Sequence, residues 1–219
     1  MKILVVRFSS IGDIVLTTPV VRCLAEQIEQ SEIHYLTKVQ YAGLLEPNPH
    51  IHTVHTLNDD FSQTVQALKK EQFDHIIDLH NNLRTHRLSL LLKVPYKRVD
   101  KENGKKLRMV YLKDRTLENR HIVERYLQTS SSLGVVNDGK GLEYHYPDSF
   151  SFNLSKLRES HRKQFVCIAI GGQHFTKKLP LNHLIRVCQK LHGPVIILGG
   201  PEDQPEGDIL EKKCENVQN

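Results

Sequence analysis

Apolar runs alternate with amphipathic stretches from the first residues of the chain onward. The run Lys2–Phe8 is long and apolar enough to predict a strand that is buried on both faces. Shorter runs of the same kind predict three further strands, at Ile33–Thr37, Thr53–Leu57 and His75–Leu79. Apolar residues at helical spacing predict the helices Thr18–Glu29, Phe61–Lys70, Leu83–Leu92 and Asn119–Ser131. Strands and helices that alternate in this order are typical of a parallel α/β sheet.

The pattern changes after Tyr146. Residues 147–164 are polar and rich in turn formers, which indicates a connection. A β-α-β unit follows, predicted as strand Phe165–Ile170, helix Asn182–Leu191 and strand Val195–Leu198, with paired glycines after both strands. Because a single β-α-β unit cannot cover both faces of its sheet, we expect the second domain to be incomplete in this chain. We therefore divide the chain into a first domain, residues 1–160, and the start of a second, residues 161–219.

The composition places the chain among soluble globular proteins. Of its 219 residues, 39% are hydrophobic and 25% are charged, which excludes the collagenous, disordered and membrane-spanning classes. The apolar stretches fall far short of the roughly 20 residues that cross a bilayer, and no secretory leader is recognised, so we expect a cytoplasmic protein. With 30 basic residues against 25 acidic ones, the net charge of +5 permits an anionic partner such as a nucleotide, a phosphorylated glycan or the inner leaflet of a membrane.

Cysteine and histidine spacings give little support to a disulfide or metal framework. The four cysteines are widely spaced and form no C-x-x-C pair, so reduced and mostly buried thiols are expected. His50, His52 and His55 come close to a metal-ligand spacing, but no carboxylate or cysteine stands at a matching offset. Surface imidazoles are the favoured interpretation, and no metal site is predicted.

The turn after the first strand is the most informative part of the sequence. The loop after this strand contains the small residues Ser9, Ser10 and Gly12, so the chain can turn tightly there and a ligand can approach the backbone at Gly12. The spacing is not G-x-G-x-x-G, so the dinucleotide fingerprint is absent. Asp13 is left as a lone carboxylate at the carboxyl end of a strand, beside the start of a helix. It is either a functional acid–base group or an ordinary helix cap.

Two glycine turns in the second domain have the composition of a nucleotide site. Residues 171–180, GGQHFTKKLP, combine glycines, Thr176 and two lysines ahead of a helix, a set that suits a diphosphate but also fits a solvated surface loop. Residues 196–203, IILGGPED, place Glu202 after a Gly-Gly turn, where it can accept from a ribose hydroxyl or simply start a helix. Each signal is weak when taken alone.

Together, these segments resemble one family, the lipopolysaccharide heptosyltransferases of glycosyltransferase family nine. The resemblance rests on VRFSSIGDIVLTTPVVRCL near the start, IIDLHNNLR at 76–84, HIVERYL at 121–127, TKKLP at 176–180 and ILGGPED at 197–203. It implies two facing Rossmann-like domains of the GT-B type, the first for the acceptor and the second for the nucleotide sugar. It also implies ADP-heptose as donor and a lipid-anchored core oligosaccharide at the inner membrane face as acceptor. Neither a cofactor nor nucleic acid is expected, and the chain is expected to be a monomer.

The resemblance also implies roles for individual residues. Asp13 matches the position of the catalytic base. Lys177, with Thr176 beside it, matches a diphosphate-binding lysine, and Glu202 falls near the acidic residue that binds the nucleoside. Leu179 stands where the family's K-x-W-P motif has tryptophan, and the later D-x-G-x-x-H motif has no counterpart in this chain.

The implied reaction is an inverting glycosyl transfer. A carboxylate within about 2.6 to 3.2 Å of the attacking hydroxyl can take its proton, so we expect either that burial raises the basicity of Asp13 or that positioning of the acceptor supplies the rate. Lys177 and the N–H groups of its loop meet the negative charge that grows on the departing diphosphate. The second domain contains no D-x-D pair, which agrees with a metal-free donor site.

Acceptor recognition is assigned to the first domain. The predicted acceptor-binding residues are Ser10, Gly12, Asn82 and Arg84, with His80 and Arg87 close to the last two in sequence. Helix capping by Asn81 or Asn82 is the alternative. A basic segment nearby either meets phosphates of the acceptor or the membrane, or is an ordinary solvated face; its members are Lys97, Arg98, Lys101, Lys105, Lys106 and Arg108.

Two other functions compete with the transferase. A non-catalytic nucleotide- or glycan-binding module is the alternative, because the D-x-G-x-x-H motif is missing. A nicotinamide-dependent dehydrogenase is disfavoured by the absent glycine fingerprint. A D-x-G-x-x-H segment in frame after Asn219 would support the enzyme over the module. Asp13→Ala is the companion test, since transfer from ADP-heptose that survives undiminished would remove Asp13 from the catalytic role.

Overall fold

The computed structural model describes residues 1–113, 120–147, 149–172 and 174–219, without the side chain of Lys106. A five-stranded and a three-stranded sheet belong to separate units, Met1–Asp148 and Ser149–Asn219. All strand pairs in both sheets are parallel, which confirms the predicted α/β class. The sequence analysis sets the domain boundary at 160, whereas the two units divide after 148.

The sheet of the first unit has β1 at its centre. Its strands are β1 (Lys2–Val6), β2 (Glu32–Lys38), β3 (Thr53–Leu57), β4 (His75–Asp78) and β5 (Tyr96–Arg98). Their order is β3-β2-β1-β4-β5, and Ile3 of β1 is in register with Ile33 on one side and His75 on the other. Because every pair is parallel, the carboxyl ends of all five strands meet at one edge, where open α/β sheets bind ligands.

The described residues of the first unit form six helices. They are α1 (Ile11–Val15), α2 (Thr18–Gln27), α3 (Phe61–Lys70), α4 (Leu83–Leu92), α5 (Asn103–Tyr111) and α6 (Ile122–Gln128). The bounds of α3 and α4 are confirmed, while α6 is shorter than the predicted helix, whose first residue Asn119 lies outside the described residues. The short elements α1 and β5 and the helix α5 were not predicted, because they have too few apolar residues to show a period.

The strand β1 is buried on both faces, as predicted. Ile3, Leu4, Val5 and Val6 are all 0% exposed. Ile3 and Val5 face the core that includes α2 and α6, and Leu4 and Val6 face the core that includes α3 and α4. The alternation of side chains along the strand therefore divides one apolar run between two cores.

A buried cluster of charges ties residues 138–143 to α2. The guanidinium of Arg22, which is 3% exposed, donates from Nε to Asp138 Oδ2 at 2.7 Å and from Nη1 to Glu143 Oε2 at 2.7 Å. It also donates to the carbonyl oxygen of Gly141 at 2.8 Å. Hydrogen bonding from Arg22 holds the pKa of Asp138 well below its usual value. One buried side chain thus connects three residues of this segment to α2.

The second unit contains the predicted β-α-β arrangement and one further helix and strand. Its elements are β6 (Val166–Ala169), α7 (Leu181–Lys190), β7 (Val195–Leu198), α8 (Gln204–Lys213) and β8 (Val217–Gln218). The sheet order is β6-β7-β8, and one core packs α7 and α8 on it, with Leu184, Val195 and Leu210 among its members. The sequence analysis did not predict α8 or β8, because β8 has only two residues and α8 is mostly polar.

The segment before β6 packs on the second unit. Arg158 donates to the carbonyl oxygen of Val217 at 2.8 Å and forms an ion pair with Glu211 at 2.6 Å. His161, 2% exposed, lies 3.0 Å from the carbonyl oxygen of Asn216. These contacts explain why residues 149–160, which the sequence analysis places in the first domain, belong to the second unit.

Two further observations concern the cysteines and the helices. All four cysteines are free; Cys23, Cys188 and Cys214 are buried, and Cys167 is exposed. Within the described ranges, none of the helices combines the length and the apolar character that crossing a bilayer requires.

Candidate functional site

Asp13 lies at the carboxyl edge of the five-stranded sheet, in the third position of α1. Its Oδ2 accepts from the Ser10 hydroxyl at 2.9 Å and from the Ser10 backbone N–H at 3.2 Å. These contacts bring two predicted site residues together and show that Asp13 does serve the helix start, the alternative raised from the sequence. Gly12 lies between them, and nothing is within 4 Å of the place where its β-carbon would stand. The backbone there is open to a ligand.

Arg7 fixes the position of Asp13, a role that the sequence analysis missed. Its Nη2 lies 2.8 Å from Asp13 Oδ2, and it donates to the carbonyl oxygens of Ser9 and Leu79 at 2.7 Å each. The Arg7 side chain is 12% exposed and that of Asp13 is 37% exposed, so the cation is largely covered while the carboxylate faces solvent. The only sequence signal was the adjacency of a basic residue to the small-residue turn.

The pKa of Asp13 moves opposite to one of the two expectations. Partial burial alone raises it, but hydrogen bonding from the Ser10 N–H and the charge of Arg7 outweigh burial and leave the pKa of Asp13 below its usual value. The expectation that burial raises the basicity of this carboxylate is therefore wrong. An ionised, oriented carboxylate favours the other expectation, in which positioning supplies the rate.

The loop after β4 is shaped by a buried carboxylate that the sequence analysis also missed. Asp78 is 0% exposed, and its Oδ1 accepts from the backbone N–H groups of His80 and Asn81 at 3.0 and 2.8 Å. Asn82 then caps α4, since its Oδ1 accepts from the N–H of Thr85 at 2.9 Å. The alternative role of Asn82 as a helix cap is therefore confirmed, and its side-chain carbonyl oxygen is the capping atom.

An open cleft lies at this edge of the sheet. Its volume is about 460 Å³, and it is lined by Phe8, Ser9, Lys38, His80, Asn82, Leu83 and Arg84. A neighbouring cavity of about 350 Å³ shares Lys38 and Arg84 and extends to Asp59 and Phe61. Two predicted acceptor residues, Asn82 and Arg84, therefore lie in one cleft together with Lys38, which the sequence analysis did not identify. Ser10, Gly12 and Asp13 are not among its lining residues.

His80 lies in the cleft as a neutral imidazole. Burial, followed by the charge of Arg7, lowers its pKa to about 4. Its ring packs against Phe8 with 4.8 Å between centroids. An unfolded histidine takes up its proton near pH 6.5, so between about pH 6.5 and 4 the unfolded chain binds more protons than the folded one, and stability falls as the pH falls through that window.

We expect His80→Gln to reduce this pH dependence. The free energy of unfolding in urea should fall from about pH 6.5 to about 4 less steeply in the variant than in the parent chain. Burial also lowers the pKa of His34, His55 and His75, which keep part of the slope. All seven tyrosines lie in the first unit and the chain has no tryptophan, so tyrosine fluorescence reports unfolding of that unit. His183→Gln, at an exposed position of the second unit, is the control; equal slopes for His80→Gln and the parent would contradict the assignment.

The basic segment is partly neutralised by acidic neighbours. Arg98 lies 3.4 Å from Asp78 Oδ2, and Lys105 lies 3.0 Å from Glu102 Oε1. The side chain of Lys106 lies outside the described residues. For Arg98 and Lys105 these partners favour a structural role.

In the second unit, the two glycine turns lie side by side at the carboxyl ends of β6 and β7. Asp203, 2% exposed, joins them: it accepts from the N–H of Gly200 at 3.0 Å and forms an ion pair with the ammonium of Lys178. A β-carbon at Gly171 would lie 2.5 Å from Asp203 Oδ2, and one at Gly199 would lie 2.8 Å from Asp203 Cβ. Glycine is required at both positions because the Asp203 side chain fills the space between the turns.

The two adjacent lysines of this loop have different environments. Lys178 is held by Asp203, and the pair raises the pKa of Lys178 and lowers that of Asp203. Lys177 is exposed, and among the described residues no acidic side chain pairs with it. Thr176 and Glu202 are exposed on the same two turns. The three predicted donor residues thus lie at one edge of the second unit, and only the pairing of the lysines could not be read from the sequence.

Comparisons with known proteins test the resemblance that the sequence motifs indicate. No family model matches the chain. A curated relative, lipopolysaccharide heptosyltransferase 1 of Campylobacter coli, is 24% identical over 206 residues that cover 86% of this chain. The chain spans only 60% of the length of that relative.

Solved structures share the fold over nearly the whole chain. The glycosyl transferase family 9 structure from Veillonella parvula is 19% identical, with a TM-score of 0.74 over 98% of this chain and 66% of that one. E. coli ADP-heptose lps heptosyltransferase II is 17% identical, with a TM-score of 0.72 over 100% of this chain and 72% of that one. E. coli heptosyltransferase WaaC with ADP is 16% identical, with a TM-score of 0.68 over 100% of this chain and 73% of that one. The resemblance carried by the sequence motifs is therefore confirmed: in sequence and in its GT-B type fold, the chain is similar to the lipopolysaccharide heptosyltransferases of glycosyltransferase family nine.

Proposed function

We propose that the chain acts in an inverting heptosyltransferase that moves a heptose from ADP-heptose to a lipid-anchored core oligosaccharide at the inner face of the membrane. The observation that carries the proposal is the ionised Asp13, held by Arg7 and Ser10 at the carboxyl edge of a parallel sheet whose cleft contains Lys38 and Arg84. The names of the similar proteins, which include ADP-heptose and lipopolysaccharide, support it.

On the acceptor side, Asp13 takes the proton of the attacking sugar hydroxyl. Its Oδ2 is occupied by Arg7 and Ser10, which leaves Oδ1 for the acceptor. Because the low pKa makes this carboxylate a weak base, proton transfer occurs late, as the new bond to the anomeric carbon forms. The acceptor approaches over Ser10 and the open backbone of Gly12.

Binding of the acceptor falls to the cationic cleft. Lys38 and Arg84 line both cavities, and they suit phosphate or carboxylate groups on a lipid-linked glycan. Asn82 lines the cleft as well; its carbonyl oxygen is used in the helix cap, so its amide nitrogen is the group that donates to a sugar hydroxyl. The same two cations would draw the protein to an anionic membrane surface.

On the donor side, the glycine turns of the second unit bind the nucleotide diphosphate. Lys177 supplies a positive charge, and Thr176 supplies a hydroxyl beside it. As the bond to the anomeric carbon breaks, negative charge grows on the departing diphosphate, and a fixed cation lowers the energy of that state. Glu202, on the neighbouring turn, accepts a hydrogen bond from the ribose. A carboxylate beside the diphosphate itself would repel it, so we assign Glu202 to the nucleoside.

Titration calorimetry with ADP tests the donor assignment. We expect Lys177→Ala to weaken ADP binding by about 10- to 100-fold, because a hydrogen bond to a charged group contributes about 1.5–3 kcal/mol. Lys190→Ala is the matched control, since it removes the same charge from the last turn of α7, at the opposite edge of the same sheet. Unchanged affinity in Lys177→Ala would remove this lysine from the site. ADP binding without transfer to any core acceptor would favour a binding module over an enzyme.

A further inference from the structure

A group of imidazoles and carboxylates lies at the amino edge of the five-stranded sheet, opposite the candidate site. Glu32 and His34 stand two residues apart at the start of β2, and His52 immediately precedes β3. His34 is 1% exposed, and its Nε2 is buried without a hydrogen-bond partner among the described residues. A buried nitrogen in that state costs free energy unless something binds it, which makes this edge a candidate ligand site.

The orientation of the His34 ring is fixed from its other side. Nδ1 of His34 lies 2.9 Å from Nε2 of His55, and the two rings are stacked with 12° between their planes. If Nδ1 carries the proton and donates it to His55, the lone pair of His34 is on Nε2. Histidines that bind metals use this arrangement, in which the second ring nitrogen donates to a neighbour and holds the ring in place.

Two further ligand groups surround this nitrogen. Glu32 Oε2 lies 3.9 Å from His34 Nε2, and one ligand atom each from Glu32, His34 and His52 lie within 4.8 Å of one another. Ligand bonds of about 2.0–2.2 Å in a tetrahedron need slightly shorter separations. Glu32, 44% exposed in its side chain, and the exposed His52 can close the difference by side-chain rotation.

From this geometry we infer that Glu32, His34 and His52 bind a divalent transition-metal ion, with Zn²⁺ the ion best suited to two imidazoles and a carboxylate. A fourth position is left for water. His55 is a positioning residue that orients His34. The ion links the first residues of β2 to the residue before β3, and it is independent of the proposed transferase function.

The surrounding charges are compatible with the ion. Lys2 Nζ lies 3.6 Å from Glu32 and 3.3 Å from Glu71, so it keeps a partner in Glu71 when Glu32 turns to the metal. The sequence did not indicate this site because Glu32 and His34 lie far from His52 along the chain, and only the pairing of β2 with β3 brings the three side chains together.

Calorimetric titration of the metal-stripped 219-residue chain with Zn²⁺ tests the inference. We expect one Zn²⁺ per chain, and we expect His52→Ala and Glu32→Gln each to weaken binding by about 10-fold or more. At one fixed Zn²⁺ concentration, the Tm of the parent should rise more than that of His52→Ala, because the ion stabilises the folded state in proportion to its affinity. Both variants change exposed side chains, so they should fold, whereas a variant of buried His34 would confound binding with folding.

Control variants distinguish the site from other histidines. His183→Ala should leave Zn²⁺ binding unchanged, because this exposed residue lies in the second unit. His50 lies near Glu143 and His145, a second group within ligand distance, so His50→Ala tests the competing location. No Zn²⁺ binding by the parent, unchanged affinity in His52→Ala and Glu32→Gln, or loss of binding in His50→Ala would each overturn the inference.

Discussion

Asp13→Asn should lower the rate of heptosyl transfer from ADP-heptose to a core acceptor by about 10²- to 10⁴-fold, the usual contribution of a positioned general base. Asparagine has nearly the same shape, and its Oδ1 can still accept from Ser10, so the start of α1 should persist. What is lost is the proton acceptor and the ion pair with Arg7. The loss should appear in kcat rather than in KM, because a base acts in the transition state.

Asp60→Asn is a control for the structural part of that change. Asp60 also stands at a helix start, where it accepts from the Ser62 N–H at 2.8 Å, but it has no assigned chemical role. We expect it to leave the transfer rate within about 3-fold of the parent, as surface changes away from a site usually do. If Asp13→Asn retains a rate as high as Asp60→Asn, Asp13 is a helix-capping residue only.

The second large effect concerns stability. Arg22→Met should lower the free energy of unfolding of the first unit by about 3–5 kcal/mol, because it leaves Asp138 and Glu143 as poorly exposed charges without their cation. Methionine conserves much of the side-chain volume, so the loss reports the charges and hydrogen bonds more than a cavity. Tyrosine fluorescence during urea denaturation measures it, since that signal comes from the first unit alone.

An exposed ion pair in the same region provides the comparison. Lys140 lies 2.8 Å from Glu26, with side chains 58% and 38% exposed, and links the same segment to the same helix α2. Lys140→Met should cost less than about 1 kcal/mol, the usual range for exposed pairs. If both variants lose a similar free energy of unfolding, burial of the Arg22 cluster does not make its charges more stabilising than an exposed ion pair.

The sequence predicts elements whose pattern is local. Phe61–Lys70 and Leu83–Leu92 show a helical period over ten residues, and their bounds are those of α3 and α4. The edge strand β5, Tyr96–Arg98, has three residues and no apolar period. Such a strand forms because β4 offers free backbone groups beside it, which is a property of the sheet and not of the segment.

In the candidate site too, the sequence predicts some features and not others. Asp13, Asn82, Arg84 and Lys177 follow strands, so their places at the carboxyl edges could be predicted from chain order. The partners that set their charge could not, because Arg7 reaches Asp13 only through the path of its own turn. Likewise, nothing in the dipeptide at 177 and 178 distinguishes the lysine that binds Asp203 from the lysine that is left exposed.

The Asp203 side chain connects the two glycine turns of the second unit to each other. One carboxylate holds the turn after β7 by the N–H of Gly200 and the turn after β6 by Lys178, so the two loops move together. A ligand that binds there spends little of its binding free energy on ordering the backbone. If the turns bind a diphosphate as proposed, its affinity is set mainly by the groups that touch it, and the Asp203–Lys178 pair contributes by preorganising the turns.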